Sequence, residues 1–183
     1  MKKITAVVLS LVLLLGLSAC QKAPAASADV APLTLLKTAW DAMPEESKFP
    51  AFGGSYESNV EAEPGHFPVT DAAALESLLV VPADAAALMD DAASLIHMMN
   101  LNTFTCGAFH TAGAEDAGTL AGLMHDTLQS RHWMCGFPDK LVIATYGGDV
   151  VAMFGLEELI NAFRDALQTS YPDLVIVYDE PIV

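Results

Sequence analysis

Apolar residues recur every three or four positions in three stretches of the chain, as on one face of an amphipathic helix. The first stretch begins at Pro32, a residue that suits the first helical position, and ends before Pro44. The other two begin with the acidic pairs Glu115-Asp116 and Glu157-Glu158, which are favourable at the positive end of a helix. The pattern therefore predicts helices over residues 33–43, 114–133 and 156–167.

Short runs of apolar, β-branched and aromatic residues predict strands in the second half of the chain. The clearest are 140–146 (KLVIATY) and 149–154 (DVVAMF), because Gly147-Gly148 between them suits a tight primed hairpin turn. A second hairpin is predicted with strands near 94–99 and 104–111, although a helix that continues to Met99 is an alternative. Residues 174–178 (LVIVY) predict a final, buried strand.

The region from Pro44 to Ala92 is predicted to form a long loop followed by two short helices. Prolines and glycines punctuate residues 44–70, which nevertheless carry four aromatic residues, Phe49, Phe52, Tyr56 and Phe67. These rings either line a binding surface or attach a long loop to its own core, and we favour the second interpretation. Beyond the loop, Thr70 or Asp71 can cap a helix through Leu79, and Asp84 can cap another through about Ala92.

From Phe104 onward, the predicted order is strand, helix, strand, strand, helix, strand. This is the split βαβ order of a ferredoxin-like sandwich, in which helices cover one face of an antiparallel sheet. We therefore expect an α+β fold with an antiparallel sheet of ferredoxin-like order, preceded by short N-terminal helices. The fold supports many unrelated activities and says little about function.

The N-terminus has the layout of a secretory signal. Lys2 and Lys3 precede the apolar run 4–15, which is too short to cross a bilayer and is followed by a polar tail. Leu17-Ser18-Ala19-Cys20 resembles the lipobox of bacterial lipoproteins, in which the cysteine becomes the acylated N-terminus. We expect a signal peptide over 1–19, a flexible tether over 20–32 and one α+β domain over 33–183. Cys20 would be the lipidation site, held to the membrane by several acyl chains such as palmitate.

The chain is strongly acidic, with 23 Asp and Glu against 8 Lys and Arg and a formal charge of −15. No Lys or Arg occurs between Phe49 and Ser130. Such a surface repels phosphate backbones and anionic lipid heads. We therefore expect no nucleic-acid partner, and contact with the membrane through the N-terminal lipid only. The identity of a protein partner or small ligand stays open.

Cysteine and histidine residues offer two further hypotheses. In a secreted protein, Cys106 and Cys135 suggest a disulfide, although strands two positions apart in the sheet would hold them beyond the reach of a bridge. We favour two small buried thiols over the disulfide. A metal site could combine these cysteines with His110, His125 and His132, but no pair has a tight ligand spacing, and half-buried histidines bonded to the backbone are the alternative. We expect no cofactor and no resident metal.

Familiar catalytic motifs do not occur in the sequence. There is no GxSxG elbow, and Gly147-Gly148 opens a strand rather than the helix that a phosphate-binding loop requires. The neighbouring carboxylates Asp90-Asp91, Glu115-Asp116 and Glu157-Glu158 point apart because they are adjacent in sequence. We therefore identify no catalytic residue and expect that the protein is not an enzyme.

Several local patterns together resemble a family of uncharacterised lipoproteins from Gram-positive, mostly anaerobic gut bacteria, classed as a domain of unknown function. They are the lipobox, the run His97-Met98-Met99-Asn100, the long helix that follows, and the hairpin GGDVVAMF. The resemblance covers roughly residues 33–167 and is weakest over 83–93 and after Pro172. It implies a domain attached to the cell envelope, and it supplies no functional residues.

These observations predict a lipid-anchored protein on the outer face of the cytoplasmic membrane that acts as a non-catalytic binding or interaction module. The alternative is a small extracellular metal-binding protein or enzyme that uses the region of Cys106, His110, His132 and Cys135.

Overall fold

The computed structural model describes residues 30–134 and 136–183, which form four α-helices and eight β-strands. The helices are α1 (Pro32–Ala42), α2 (Ala72–Leu79), α3 (Ala114–Ser130) and α4 (Glu157–Ser170). The strands are β1 (Ala51–Gly53), β2 (Val60–Glu61), β3 (Gly65–His66), β4 (Met89–His97), β5 (Phe104–Thr111), β6 (Lys140–Tyr146), β7 (Asp149–Gly155) and β8 (Val175–Pro181). None of the helices in this part of the chain has the length and apolar content to cross a membrane.

All eight strands belong to one antiparallel sheet. Its order is β2-β1-β4-β5-β7-β6-β8, and β3 also pairs with β4. The central pairs β5–β7 and β6–β7 are in register over seven residues each, and the Gly147-Gly148 turn joins β6 to β7 as predicted. The expected α+β class and antiparallel sheet are confirmed.

The ferredoxin-like strand order is not confirmed, because β8 pairs with β6 rather than with β5. The place beside β5 that this order gives to the last strand is occupied by β4. The connections β5-α3-β6 and β7-α4-β8 each join strands that lie two positions apart in the sheet, and both run toward the β8 edge. Since β5 and β7 run in opposite directions, right-handed crossovers place α3 and α4 on opposite faces of the sheet.

The sheet is consequently covered on both sides. On one face, α2 and α3 pack over Ile96, Phe109 and Ile143; on the other, α1 and α4 pack over Leu95, Phe104 and Val142. These surfaces are called the α2/α3 face and the α1/α4 face. Every residue of β7 is buried, as expected for a strand with helices on both sides.

Strand β4 begins earlier than the sequence suggested. The predicted strand near 94–99 starts at Met89, and the predicted helix from Asp84 to about Ala92 is reduced to one 3-10 turn, Ala86–Leu88. Ala92 and Ala93 are fully buried, one beneath each face, where small side chains let the helices approach the sheet. Tertiary packing thus overrides the helical preference of this alanine-rich stretch.

The predicted loop 44–70 contains three short strands attached to the β4 edge. Gly53 and Gly65 lie so close together that a Cβ on Gly53 would be 1.9 Å from the backbone nitrogen of Gly65. Phe67 is fully buried, and the Phe49 ring packs against Trp40, His97 and Phe104. These rings attach the segment to the core.

Three other element boundaries differ little from prediction. Asp71 caps α2 through its carboxylate, which accepts a hydrogen bond from the Ala74 amide at 3.0 Å. Helix α3 ends at Ser130 instead of Trp133, and α4 continues to Ser170.

The last strand was predicted to be buried, but β8 is an edge strand whose residues alternate between exposed and half-buried, because only β6 lies beside it.

Candidate functional site

The two ends of the sheet have different chemistry. At the end where β5 finishes and β7 begins, Nδ1 of His110 lies 2.9 Å from Oδ1 of Asp149. The Asp149 side chain is completely buried, whereas 26% of the His110 side chain is exposed. Nδ1 of His110 is thus directed toward a buried carboxylate, which fixes the orientation of the ring. This arrangement orients an imidazole as a general base requires.

A row of polar side chains crosses the sheet at this end. Asp91, His110, Asp149 and Tyr146 are register partners on four adjacent strands, which places them on the same face. A second His–Asp pair stands at the edge of the row, where Nε2 of His66 is 2.8 Å from Oδ1 of Asp91. We call these five residues the polar row.

Glycine keeps the backbone close to His110. A Cβ on Gly148 would lie 3.0 Å from the Thr111 carbonyl oxygen and 3.5 Å from Cε1 of His110. The Thr111 hydroxyl is within 2.9 Å of the carbonyl oxygens of both Gly113 and Gly148. The turn that opens β7 and the start of α3 are therefore fixed against each other beside the imidazole.

The structure does not bring together Cys106, His110 and His132 of the predicted cysteine and histidine site. Cys106 lies on the same strand and face as His110, but four residues along a strand are about 13 Å. His132 is exposed, and its neighbour Trp133 packs against Phe154 at the far end of β7. No group of three or more metal-ligating side chains occurs within residues 30–134 and 136–183.

Of the two cysteines in the predicted disulfide, Cys106 lies among the described residues. It is fully buried, and burial raises the pKa of its thiol far above the usual range. Cys135 and the predicted lipidation site Cys20 lie outside the described residues. The Cys106–Cys135 disulfide and the lipidation of Cys20 thus stay predictions.

The opposite end of the sheet presents apolar side chains to solvent. They are Met98, Met99, Met134, Phe137 and Leu156, with exposed fractions of 46, 80, 79, 57 and 42%. We call these five residues the apolar end surface.

Hydrogen bonds hold together the three loops that carry this surface. The Asn102 side-chain amide donates to the carbonyl oxygens of Met134 and Gly136, and the Leu156 amide donates to the carbonyl oxygen of Thr103. The three loops that carry the apolar end surface are therefore held next to one another.

An open cavity of about 170 Å³ borders the apolar end surface. Its lining contains four carboxylates and one lysine, and the residues are Asp139, Lys140, Glu157, Asp179, Glu180 and Pro181. We call it the acidic cavity.

Two of the cavity carboxylates are held in place by basic side chains. Lys140 and Arg164 both form ion pairs with Asp179. Partial burial opposes ionisation of Asp179, but hydrogen bonds from these two cations outweigh it and lower its pKa. Oε1 of Glu180 lies 2.8 Å from Nε2 of His125, and this hydrogen bond lowers the pKa of Glu180.

Sequence reasoning missed both features. Asp149 was assigned only to a hairpin strand, and Met98 and Met99 were placed inside a strand that ends at His97. A charged residue that directly follows a diglycine turn was the available signal for Asp149. For the methionines, the signal was their position immediately before the turn at Asn100.

Comparison with known proteins assigns no family. No protein-family model, no curated protein and no solved structure matches the chain. The resemblance to a family of uncharacterised lipoproteins stays a prediction.

Proposed function

We propose that this protein is a lipid-anchored, extracytoplasmic binding module that carries out no catalysis. The observation that supports a binding role is the apolar end surface, whose five large apolar side chains are exposed on loops that hydrogen bonds hold together. Continuous exposed apolar patches on soluble domains mark interaction sites more often than isolated apolar residues do. The lipobox-like sequence ending at Cys20 supports the anchored location.

The start of α1 lies at the polar-row end of the sheet. The Tyr171 ring, at the C-terminal end of α4, packs against Tyr146 in the polar row, and its hydroxyl lies 3.5 Å from the Thr34 carbonyl oxygen near the start of α1. The apolar end surface therefore lies at the opposite end of the sheet from the start of α1.

The anchor is tested by fractionation and mass spectrometry. We expect the protein to fractionate with membranes and its N-terminal peptide to carry acyl chains on Cys20. A Cys20→Ser variant should lose the acyl mass and leave the membrane fraction. A Cys20→Ser variant that stays with the membranes would contradict the lipoprotein proposal.

The binding role is tested in the native host with a photoreactive amino acid at position 99. The matched control is position 175, because Val175 is also apolar and is 59% exposed, but lies at the other end of β8. We expect one reproducible cross-linked protein from position 99 and none from position 175. Equal labelling from both positions, or none from either, would overturn the binding role.

A second function, hydrolysis with His110 as general base, is supported by the buried Asp149 carboxylate that orients the imidazole. It would be tested with chromogenic carboxylate and phosphate esters. Hydrolysis that is lost in His110→Asn and retained in His66→Asn would support this function. Identical rates in the wild type and both variants would exclude His110 as the base.

A further inference from the structure

The apolar end surface and the acidic cavity are parts of one continuous surface. Asp139 follows Phe137 by two residues, and Glu157 directly follows Leu156. The Glu157 amide donates to Oδ2 of Asp139 at 3.1 Å, so these two acidic residues lie side by side between the apolar side chains and the cavity. Any segment that covers Phe137 and Leu156 must approach both carboxylates.

The cavity has an excess of negative charge. Asp179 is balanced by Lys140 and Arg164, and Glu180 is bonded to His125 and Gln129. No Lys, Arg or His of residues 30–134 and 136–183 forms an ion pair with Asp139 or Glu157, both of which are exposed. These two carboxylates are therefore available to a cation supplied from outside.

We infer that this combined surface binds a basic, amphipathic segment of a partner protein. The apolar side chains of the segment would pack on the methionines, Phe137 and Leu156, while a lysine or arginine would enter the acidic cavity beside Asp139 and Glu157. Methionine suits such a surface because its unbranched, polarizable side chain adapts to different partners. The inference deepens the proposed binding function and depends on it.

The net negative charge of the chain favours a basic segment over a membrane surface or a second copy of the chain. At −15, the chain repels anionic lipid heads, so a membrane surface is a poor match for an acidic border. A second copy would bring the same acidic residues against each other, which is also unfavourable. A basic partner gains from both the apolar contact and the uncompensated carboxylates.

The inference can be tested with defined peptides. The mature protein would be held in nanodiscs of neutral phosphatidylcholine, with empty nanodiscs as the blank. The probe is a fluorescent helical peptide of leucine and lysine, compared by anisotropy with a leucine and glutamate peptide of the same pattern. We expect the lysine peptide to bind more tightly by at least tenfold, with an affinity that falls as salt is added.

Variants then locate the binding surface. Asp139→Asn with Glu157→Gln should weaken lysine-peptide binding by roughly two- to thirtyfold, the range expected for two exposed ion pairs. An asparagine at position 139 can still accept the hydrogen bond from the Glu157 amide at the start of α4. Met99→Ser with Met134→Ser should weaken binding by roughly tenfold or more through lost apolar contact. The matched control is Glu76→Gln with Asp84→Asn, which changes the charge equally at exposed positions outside this surface.

Three results would overturn the inference. The control pair could weaken binding as much as the Asp139 and Glu157 pair, which would indicate a response to net charge alone. The glutamate peptide could bind as well as the lysine peptide. Anionic vesicles could bind through Met99 and Met134, which would make the occupant a lipid surface. If position 99 still cross-links to one protein while the lysine peptide fails to bind, the binding module stands and the basic partner is wrong.

Discussion

Replacing His110 with alanine tests whether the buried carboxylate of Asp149 depends on the imidazole. Breaking a fully buried ion pair by removing one partner costs about 3–5 kcal/mol. Only Asp149 is fully buried here, since 26% of the His110 side chain is exposed and water can enter the space it leaves. We therefore expect His110→Ala to lower the free energy of unfolding by about 2–3 kcal/mol at neutral pH.

The chain contains its own control for this experiment. His66 and Asp91 form a pair of the same chemistry at 2.8 Å, but 63% and 33% of their side chains are exposed. Exposed ion pairs contribute about 0–1 kcal/mol. His66→Ala should therefore cost less than about 1 kcal/mol, and we expect the larger cost of His110→Ala to reflect chiefly the burial of Asp149.

The assay is urea unfolding followed by the fluorescence of the two tryptophans. With an m-value of about 2 kcal/mol/M, His110→Ala should lower the midpoint by about 1–1.5 M and His66→Ala by less than about 0.5 M. The double variant His110→Ala/Asp149→Ala should be less destabilised than the sum of its single variants, because it leaves no carboxylate behind. Equal midpoints for His110→Ala and His66→Ala would refute the argument.

Three further predictions concern the core and the edge of the sheet. Gly107→Ala should destabilise the protein by about 1–3 kcal/mol in thermal unfolding, because its Cβ would lie 2.4 Å from Cζ of Phe109. For His125, burial lowers the pKa, but two carboxylate hydrogen bonds outweigh it and raise the pKa above 6.5. Wild type should be more stable than His125→Gln by less than about 1 kcal/mol. This difference should be complete below pH 6.5 and decline as pH rises through the folded-state pKa of His125; it should also decline at acid pH, where the carboxylates protonate. A difference in urea midpoints that does not change with pH would contradict this. In a Cys20→Ser/Cys135→Ser background, the fully buried Cys106 should react with a disulfide reagent only after urea unfolding, and rapid native reaction would contradict its burial.

Local signals were sufficient where one stretch of sequence determines its own geometry. The diglycine at 147–148 fixed the β6–β7 hairpin, and the apolar period of α4 predicted that helix to within a few residues. Both signals are short-range: a primed turn requires glycine, and a single apolar stripe requires one buried face. The α+β class follows from such elements without knowledge of how they assemble.

The remaining features depend on contacts between distant parts of the chain. The alanines near Ala92 become a strand because helices cover both faces of β4, which no local pattern indicates. The strand order differs from the ferredoxin-like expectation because β4 takes the place beside β5. The His110–Asp149 pair, in turn, requires the β5–β7 register. A one-residue shift of that register would turn the two side chains to opposite faces.

Measurements of stability and of binding can distinguish the roles of the polar row and the apolar end surface. Asp149 is buried beside a well-packed turn, so substitutions in the polar row should change stability first. Met99 and Met134 are about four-fifths exposed and lie outside the buried core, so polar substitutions there should leave the free energy of unfolding nearly unchanged. A loss of binding without a loss of stability would therefore assign function to the apolar end surface. If instead the methionine variants behave as wild type in cells, and His110→Asn abolishes an activity while the fold persists, function belongs to the polar row.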